Sequence, residues 1–184
     1  MKTLTFITGN PNKAEQLERY LCFPVCHKKL DIPEIQSLDV AEIATEKAQA
    51  AYAIIGTPVL VEDTALTFVA LNGLPGTLIK WFLESIGNEG LTKLLDGYED
   101  RNALAKTCFA LCDENGVHLF QGECRGRVPS EPRGNSDFGW NPVFIPEGEE
   151  LTWAEMTPEQ SAVTSMRKKA VTALQAYLEE NYES

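Results

Sequence analysis

Leu4-Thr5-Phe6-Ile7-Thr8-Gly9-Asn10-Pro11-Asn12-Lys13 is the stretch that decides the fold class. Residues 4–8 read as a buried first strand, and Gly9-Asn10-Pro11-Asn12 as a turn into a helix. That helix carries Ala14, Leu17, Tyr20 and Leu21 on one face. Pro11 suits the first helical position, where its fixed φ is already helical and its missing N–H would find no partner; Asn10 before it is a good cap. A chain that opens strand–turn–helix points to an α/β arrangement.

The rest of the chain is consistent with that opening. A second helix is expected after Ser37, stopped by Gly56. Pro58-Val59-Leu60-Val61-Glu62-Asp63-Thr64 has consecutive aliphatics without polar alternation, as in a strand covered on both faces. Gly73-Leu74-Pro75-Gly76 reads as a turn before an apolar helix over Leu78–Leu83, and a short helix is expected around Leu91–Leu95 ending at Gly97. Strands at Leu104–Cys112 and Val117–Cys124 flank Asn115-Gly116, a strong hairpin signal. A Gly/Pro-rich loop over 129–142 leads to a short strand at Val143–Ile145. The terminal helix carries Val171, Leu174 and Leu178; Thr157-Pro158-Glu159-Gln160 has the form of a capping box, with Ser165 as the alternative start. Strand–helix units together with a hairpin predict α/β with a mixed sheet and flanking helices, one domain over residues 1–184.

Composition narrows the function. The chain has 184 residues, 43% hydrophobic and 23% charged, which is ordinary for a globular protein. No apolar run is long enough for a membrane span, and Met1–Thr8 has too few apolar residues for a signal peptide. The expected location is therefore cytoplasmic, with no membrane partner. A net charge of −11 argues against nucleic-acid polymers, which need a basic footprint. It does not exclude a small anion held by a few lysines and a divalent ion. Cys22, Cys26, Cys108, Cys112 and Cys124 contain no C-x-x-C pair; Cys22-x-x-x-Cys26-His27 is at most half a zinc site, and reduced structural thiols are expected.

Several residues stand out chemically. The turn at Thr8, Gly9 and Asn10 puts backbone N–H groups at the positive end of a helix, which suits phosphate, and Lys13 adds a full charge where helices prefer acids. The other reading is an ordinary βα turn with an exposed lysine. Glu62 and Asp63, taken to follow a buried strand, would lie at a sheet's carboxyl end, where oxygen ligands for Mg²⁺ are well placed; the alternative is a strand ending in a polar loop. Lys47 has Ile43, Ala44, Ala50 and Ala51 at helical spacing, and Lys80 lies within Leu78-Ile79-Lys80-Trp81-Phe82. A lysine on an apolar stripe either snorkels to the surface or meets an anion. Phe138-Gly139-Trp140 is a stacking platform for a base or a lid on the core.

Taken in order, these pieces resemble the inosine triphosphate pyrophosphatase family, which clears deaminated purine nucleotides such as ITP, dITP and XTP. The matching motifs are T-G-N-x-x-K at Thr8–Lys13, L-x-x-P-E at Leu30–Glu34, V-E-D-T at Val61–Thr64, G-L-P-G-x-x-I-K-W-F at Gly73–Phe82, P-R-G-x-x-D-F-G-W at Pro132–Trp140 and A-E-M at Ala154–Met156. The resemblance implies a long twisted mixed sheet with two lobes around a central cleft, a homodimer, and Mg²⁺-dependent hydrolysis of a nucleoside triphosphate to monophosphate and pyrophosphate, with Mn²⁺ as a substitute. It assigns phosphate contacts to Thr8, Gly9, Asn10, Lys13, Lys47 and Lys80, and a substrate contact to Thr64. Glu34 and Asp63 become metal carboxylates, Asp63 also orienting or deprotonating the attacking water. Phe138, Gly139, Trp140 and Asn141 are assigned to the base pocket, with Arg167 near the base.

The base-reading end departs from the family pattern. Asn141 stands where the family has an acid, Ser161 where it has a lysine, and Ser165-Met166-Arg167 where it has Ser-His-Arg. A site stripped of such hydrogen-bonding groups can forfeit a discrimination of about 10⁴–10⁵. A shifted or broadened base preference, including modified or pyrimidine nucleotides, is therefore the main alternative. A nucleotide-binding protein without turnover, and a purely structural module, are the other classes weighed.

Overall fold

The computed structural model describes residues 4–21, 23–135 and 139–182. Among the described residues seven strands form one sheet: β1 (Leu4–Ile7), β2 (Val25–Lys28), β3 (Val59–Phe68), β4 (Pro75–Gly76), β5 (Asn102–Asp113), β6 (Gly116–Arg127) and β7 (Ile145–Pro146). The order is β2-β1-β3-β5-β6-β7, with β4 paired to β3. The sheet is mixed, as the sequence predicts: β1 runs parallel to β2 and β3, whereas β3–β4 and β6–β7 are antiparallel. The helices are α1 (Pro11–Tyr20), α2 (Val40–Ile55), α3 (Ile79–Lys93), α4 (Pro158–Thr164) and α5 (Met166–Tyr182). Among the described residues no helix is long and apolar enough to cross a membrane.

Backbone contacts divide the chain into two compact units. The first comprises residues 1–63, 107–122 and 167–184; the second comprises 64–106 and 123–166. In the first unit, Leu4 and Phe6 of β1, Leu17 of α1, Leu60 of β3, Phe109 and Leu111 of β5, and Leu174 and Leu178 of α5 form one buried cluster. Phe6 and Phe109 meet at 6.3 Å between ring centroids. The core of the second unit gathers Leu66 and Phe68 of β3, Ile79 and Leu91 of α3, and Ala103 and Ala105 of β5 around Trp140, Phe144 and Trp153. There the Arg101 guanidinium donates to the carbonyls of Thr92, Leu95, Val128 and Pro129, tying three segments together.

Local signals hold where local chemistry suffices. Helix α2 stops at Gly56, which adopts φ 72° and returns its N–H to the Tyr52 carbonyl; only a residue without Cβ enters that region at no cost. Its start is capped by Asp39, whose carboxylate accepts from the Ala41 N–H at 2.9 Å. The Thr157/Gln160 capping box is present and opens α4, so the two candidate starts become two helices, α4 and α5.

Other expectations need correction. The third strand does not end at Thr64 but runs to Phe68, so Glu62 and Asp63 lie inside β3. Pro75-Gly76 forms β4 after a cis Leu74-Pro75 bond rather than a plain turn. The two helices expected over 78–95 are both present within α3, but they abut at Gly87, whose φ of 66° and ψ of −176° are not helical, and the second ends at Lys93 rather than at Gly97. Val143 belongs to a 3-10 turn, with β7 starting at Ile145.

Candidate active site

The first unit holds most of the charged residues singled out from the sequence. After β1, the Thr8 N–H donates to the Lys28 carbonyl at 3.0 Å, and the Asn10 N–H donates to Thr8 Oγ1 at 3.1 Å. Those two amides of the turn are therefore already used within the protein. Lys13, in the first turn of α1, supplies the positive charge beside them, and that turn contains no acid.

Lys13 and Arg167 share one carboxylate. Arg167 Nη2, at the start of α5, donates to Glu62 Oε2 at 2.5 Å and to the Lys13 carbonyl at 2.9 Å. Lys13 Nζ lies 4.0 Å from the same Glu62 oxygen. Thr107 Oγ1 sits 3.3 Å from Glu62 Oε1 and 3.2 Å from the Asp63 carbonyl oxygen. The Glu62 side chain is 1% exposed and that of Arg167 6%. A buried carboxylate needs a paired cation, and two cations on one acid leave an excess positive charge next to the β1–α1 turn. Glu62 is thus a buried anchor of this cluster. The resemblance assigned Arg167 to the base; the structure places its guanidinium against Glu62 and the phosphate-type turn.

Asp63, the next residue along β3, points to a different partner, as alternation along a strand requires. Lys47 Nζ of α2 donates to Glu34 Oε1 and lies 3.9 Å from Asp63 Oδ2. Glu34 comes from the irregular segment between β2 and α2. Two carboxylates from separate stretches of chain therefore converge on one ammonium. Lys47 and Asp63 are mostly covered, at 19% and 17% side-chain exposure, and Glu34 is half exposed. Burial pushes the nearby Cys108 thiol up to about 12, with Asp39 and Asp63 adding to the rise, so it is no nucleophile at neutral pH. Among the described cysteines, Cys26, Cys108 and Cys112 are free thiols, and Cys26 is exposed.

The remaining candidates belong to the second unit. Thr64 is half-buried in β3. Lys80 is exposed, not on a buried stripe: only Ile79 in 78–83 is buried, Trp81 is 61% exposed, and the Lys80 ammonium lies 5.6 Å from the Trp81 ring. Gly139 adopts φ 54°, and its carbonyl accepts from Asn88 Nδ2 at 3.1 Å. Trp140 is buried against Phe144 and Trp153, at 6.0 and 5.8 Å between rings, so its packing is that of a core residue. Asn141 opens the 3-10 turn, the Ser161 hydroxyl donates to the Pro158 carbonyl at 3.1 Å, Ser165 separates α4 from α5, and Met166 is buried. Phe138 lies outside the described residues.

The sequence model of the Ham1 family matches residues 4–177. The chain belongs to the Ham1 family. This Ham1-family chain is 49% identical over 178 residues to the protein named inosine triphosphate pyrophosphatase 2 of Trypanosoma cruzi, covering 95% of this chain and 91% of that one. It is 45% identical over 186 residues to the inosine triphosphate pyrophosphatase of Yarrowia lipolytica, covering 98% of both. Among solved structures, the Ham1 protein of Staphylococcus aureus matches with a TM-score of 0.86 at 25% identity, over 97% of this chain and 99% of that one. The nucleoside-triphosphatase, dITP/XTP pyrophosphatase, of Mycobacterium abscessus matches with a TM-score of 0.75 at 27% identity, over 94% and 98%.

Two members of the charged cluster were not singled out from the sequence of this Ham1 protein for the roles they take here, Thr107 and Glu62 as an internal anchor. An acid inside an aliphatic strand was the available signal for Glu62, because such a group demands a cation. Nothing local marks Thr107.

Proposed function

We propose that this chain hydrolyses nucleoside triphosphates such as ITP, dITP and XTP to the monophosphate and pyrophosphate, using Mg²⁺, with Mn²⁺ as a substitute. The observation that carries the reading is the convergence of Glu34 and Asp63 on Lys47, in a family whose relatives are named for this reaction. The donor set fits the ion. Among the described residues no three His, Cys, Asp or Glu side chains gather into a metal-binding group, and two carboxylates are what Mg²⁺ commonly takes when phosphates complete its shell. Glu34 and Asp63 would hold it. Bound there, the ion would neutralise phosphate charge and activate or position water.

The chain's own residues supply the rest. Lys13 at the start of α1 and Lys47 on α2 are the cations of the first unit proposed to meet the phosphates, and fixed positive charge is usually the largest contribution in phosphoryl chemistry. Thr8, Gly9 and Asn10 shape the turn. Asp63 is the carboxylate proposed to orient or deprotonate the attacking water. Thr64, Lys80 and the base-pocket residues Phe138, Gly139, Trp140, Asn141, Ser161, Ser165 and Met166 are proposed as substrate contacts on the family likeness. Cytoplasmic location and a homodimer are proposed on the same footing.

One set of residues favours a second reading, in which the reaction is kept and the base preference broadened. Asn141, Ser161 and Met166 offer no charged group, the Ser161 hydroxyl is spent on Pro158 and Met166 is buried. A panel of nucleoside triphosphates assayed for pyrophosphate release decides between them. A preference of ITP and XTP over ATP, GTP and the pyrimidines by more than about a hundredfold, roughly 2.7 kcal/mol, rejects the broadened reading. Asp63→Asn, run on the same panel, should lose about 10²–10⁴-fold in kcat if Asp63 is the base; near wild-type turnover would remove it from the mechanism.

A further inference from the structure

We infer that Lys47 is the cation that occupies the carboxylate pair in the nucleotide-free protein, and that it makes metal entry dependent on the triphosphate. The inference rests on the metal and phosphate roles proposed above and goes beyond them to the order of binding.

The geometry carries the argument. Lys47 Nζ donates to Glu34 Oε1 and stands 3.9 Å from Asp63 Oδ2. The same two acids are the proposed ligands of the divalent ion. Glu62 does not enlarge the set, since its oxygens are taken by Arg167 and Thr107. A divalent ion on Glu34 and Asp63 would therefore meet an ammonium already bonded to one ligand and within 4 Å of the other. Like charges at that separation repel strongly where the groups are mostly covered. Either the ion is excluded or the ammonium gives up the carboxylates.

A triphosphate resolves the conflict. An ammonium has three donors and no acceptor, so phosphate oxygens give Lys47 a new partner as it leaves Glu34. The same oxygens complete the shell of an ion that has only two protein carboxylates. Ion and nucleotide then enter as one complex, and each raises the other's affinity by the same factor. A nucleotide-free protein that repels free divalent ions is the consequence.

Mn²⁺ titration of the full chain, followed by loss of the free-ion electron paramagnetic resonance signal, tests this. It is run with and without an inosine triphosphate analogue carrying a methylene α,β-bridge. Wild type should bind Mn²⁺ weakly alone and tightly with the analogue. Lys47→Met should bind Mn²⁺ about ten- to a hundredfold more tightly than wild type without nucleotide, the range a like-charge neighbour commands in proton binding, while binding the analogue more weakly. Lys47→Gln is the second variant should the methionine not fold, and Lys47→Arg should keep the block. Equal or weaker Mn²⁺ binding by folded Lys47→Met or Lys47→Gln overturns the inference and leaves the metal assignment standing. Failure of wild type to take up Mn²⁺ even with the analogue, or undiminished uptake by Asp63→Asn, overturns both.

Discussion

Replacing Arg167 by Met isolates the buried charge cluster of the first unit. In the wild type, Glu62 is 1% exposed and its nearest cation is the Arg167 guanidinium at 2.5 Å, itself 6% exposed. The substitution keeps side-chain length and apolar contact with Phe109, whose ring lies 5.8 Å from the guanidinium carbon. It removes the pairing charge and the donor to the Lys13 carbonyl. Breaking a buried pair by removing one partner costs about 3–5 kcal/mol. Lys13, 4.0 Å away, remains as a weaker partner, so the lower end, about 3 kcal/mol, is expected. For a chain of this size about 2–4 °C of Tm follows each kcal/mol, giving a fall of roughly 6–12 °C. Thermal and urea unfolding followed by circular dichroism measure it, and Glu62→Gln with Glu62→Gln/Arg167→Met completes the cycle. The double variant removes both charges of the buried pair and leaves only the less buried Lys13 without this acid, so it should be about 2–3 kcal/mol more stable than the sum of the single losses predicts. A fall below about 2 °C in Arg167→Met, or strictly additive losses, refutes the view of Glu62 as an anchor.

Two further predictions concern stability alone. Burial raises the Asp113 carboxyl, but the Tyr182 hydroxyl at 2.6 Å, the Asn115 amide and His118 outweigh it and hold the group below the usual carboxylate range. A depressed folded-state pKa contributes stability above the unfolded value of about 3.9 and loses it as pH falls through the folded value. Tyr182→Phe should therefore be destabilised at neutral pH, with the gap to wild type closing on acidification to roughly pH 2; a gap unchanged by pH counts against this account. Gly126→Ala should destabilise by about 1–3 kcal/mol rather than stabilise as glycine replacement in extended backbone otherwise would. An added Cβ would stand 2.2 Å from the Ile145 carbonyl oxygen and 2.6 Å from the Phe144 ring, and an unchanged or raised Tm in unfolding experiments contradicts it.

What the sequence determined by itself is whatever neighbouring residues decide. The strand–turn–helix opening, the αL stop at Gly56, the Asn115-Gly116 hairpin and the Thr157 capping box depend on groups a few residues apart, whose chemistry is complete within the segment. The ordered motifs likewise placed the chain in its family. The exposed Lys80 and the buried Trp140 were not settled that way, because burial depends on what distant segments bring. Nor was the extent of β3, which carries Glu62 and Asp63 in its interior and not at its end. The pairing of Glu62 with Arg167 joins residues 105 positions apart. Glu34 and Asp63 reach one cation because α2 carries Lys47 to both. A charge's worth is set by the dielectric and the partners around it, and only the tertiary structure supplies those.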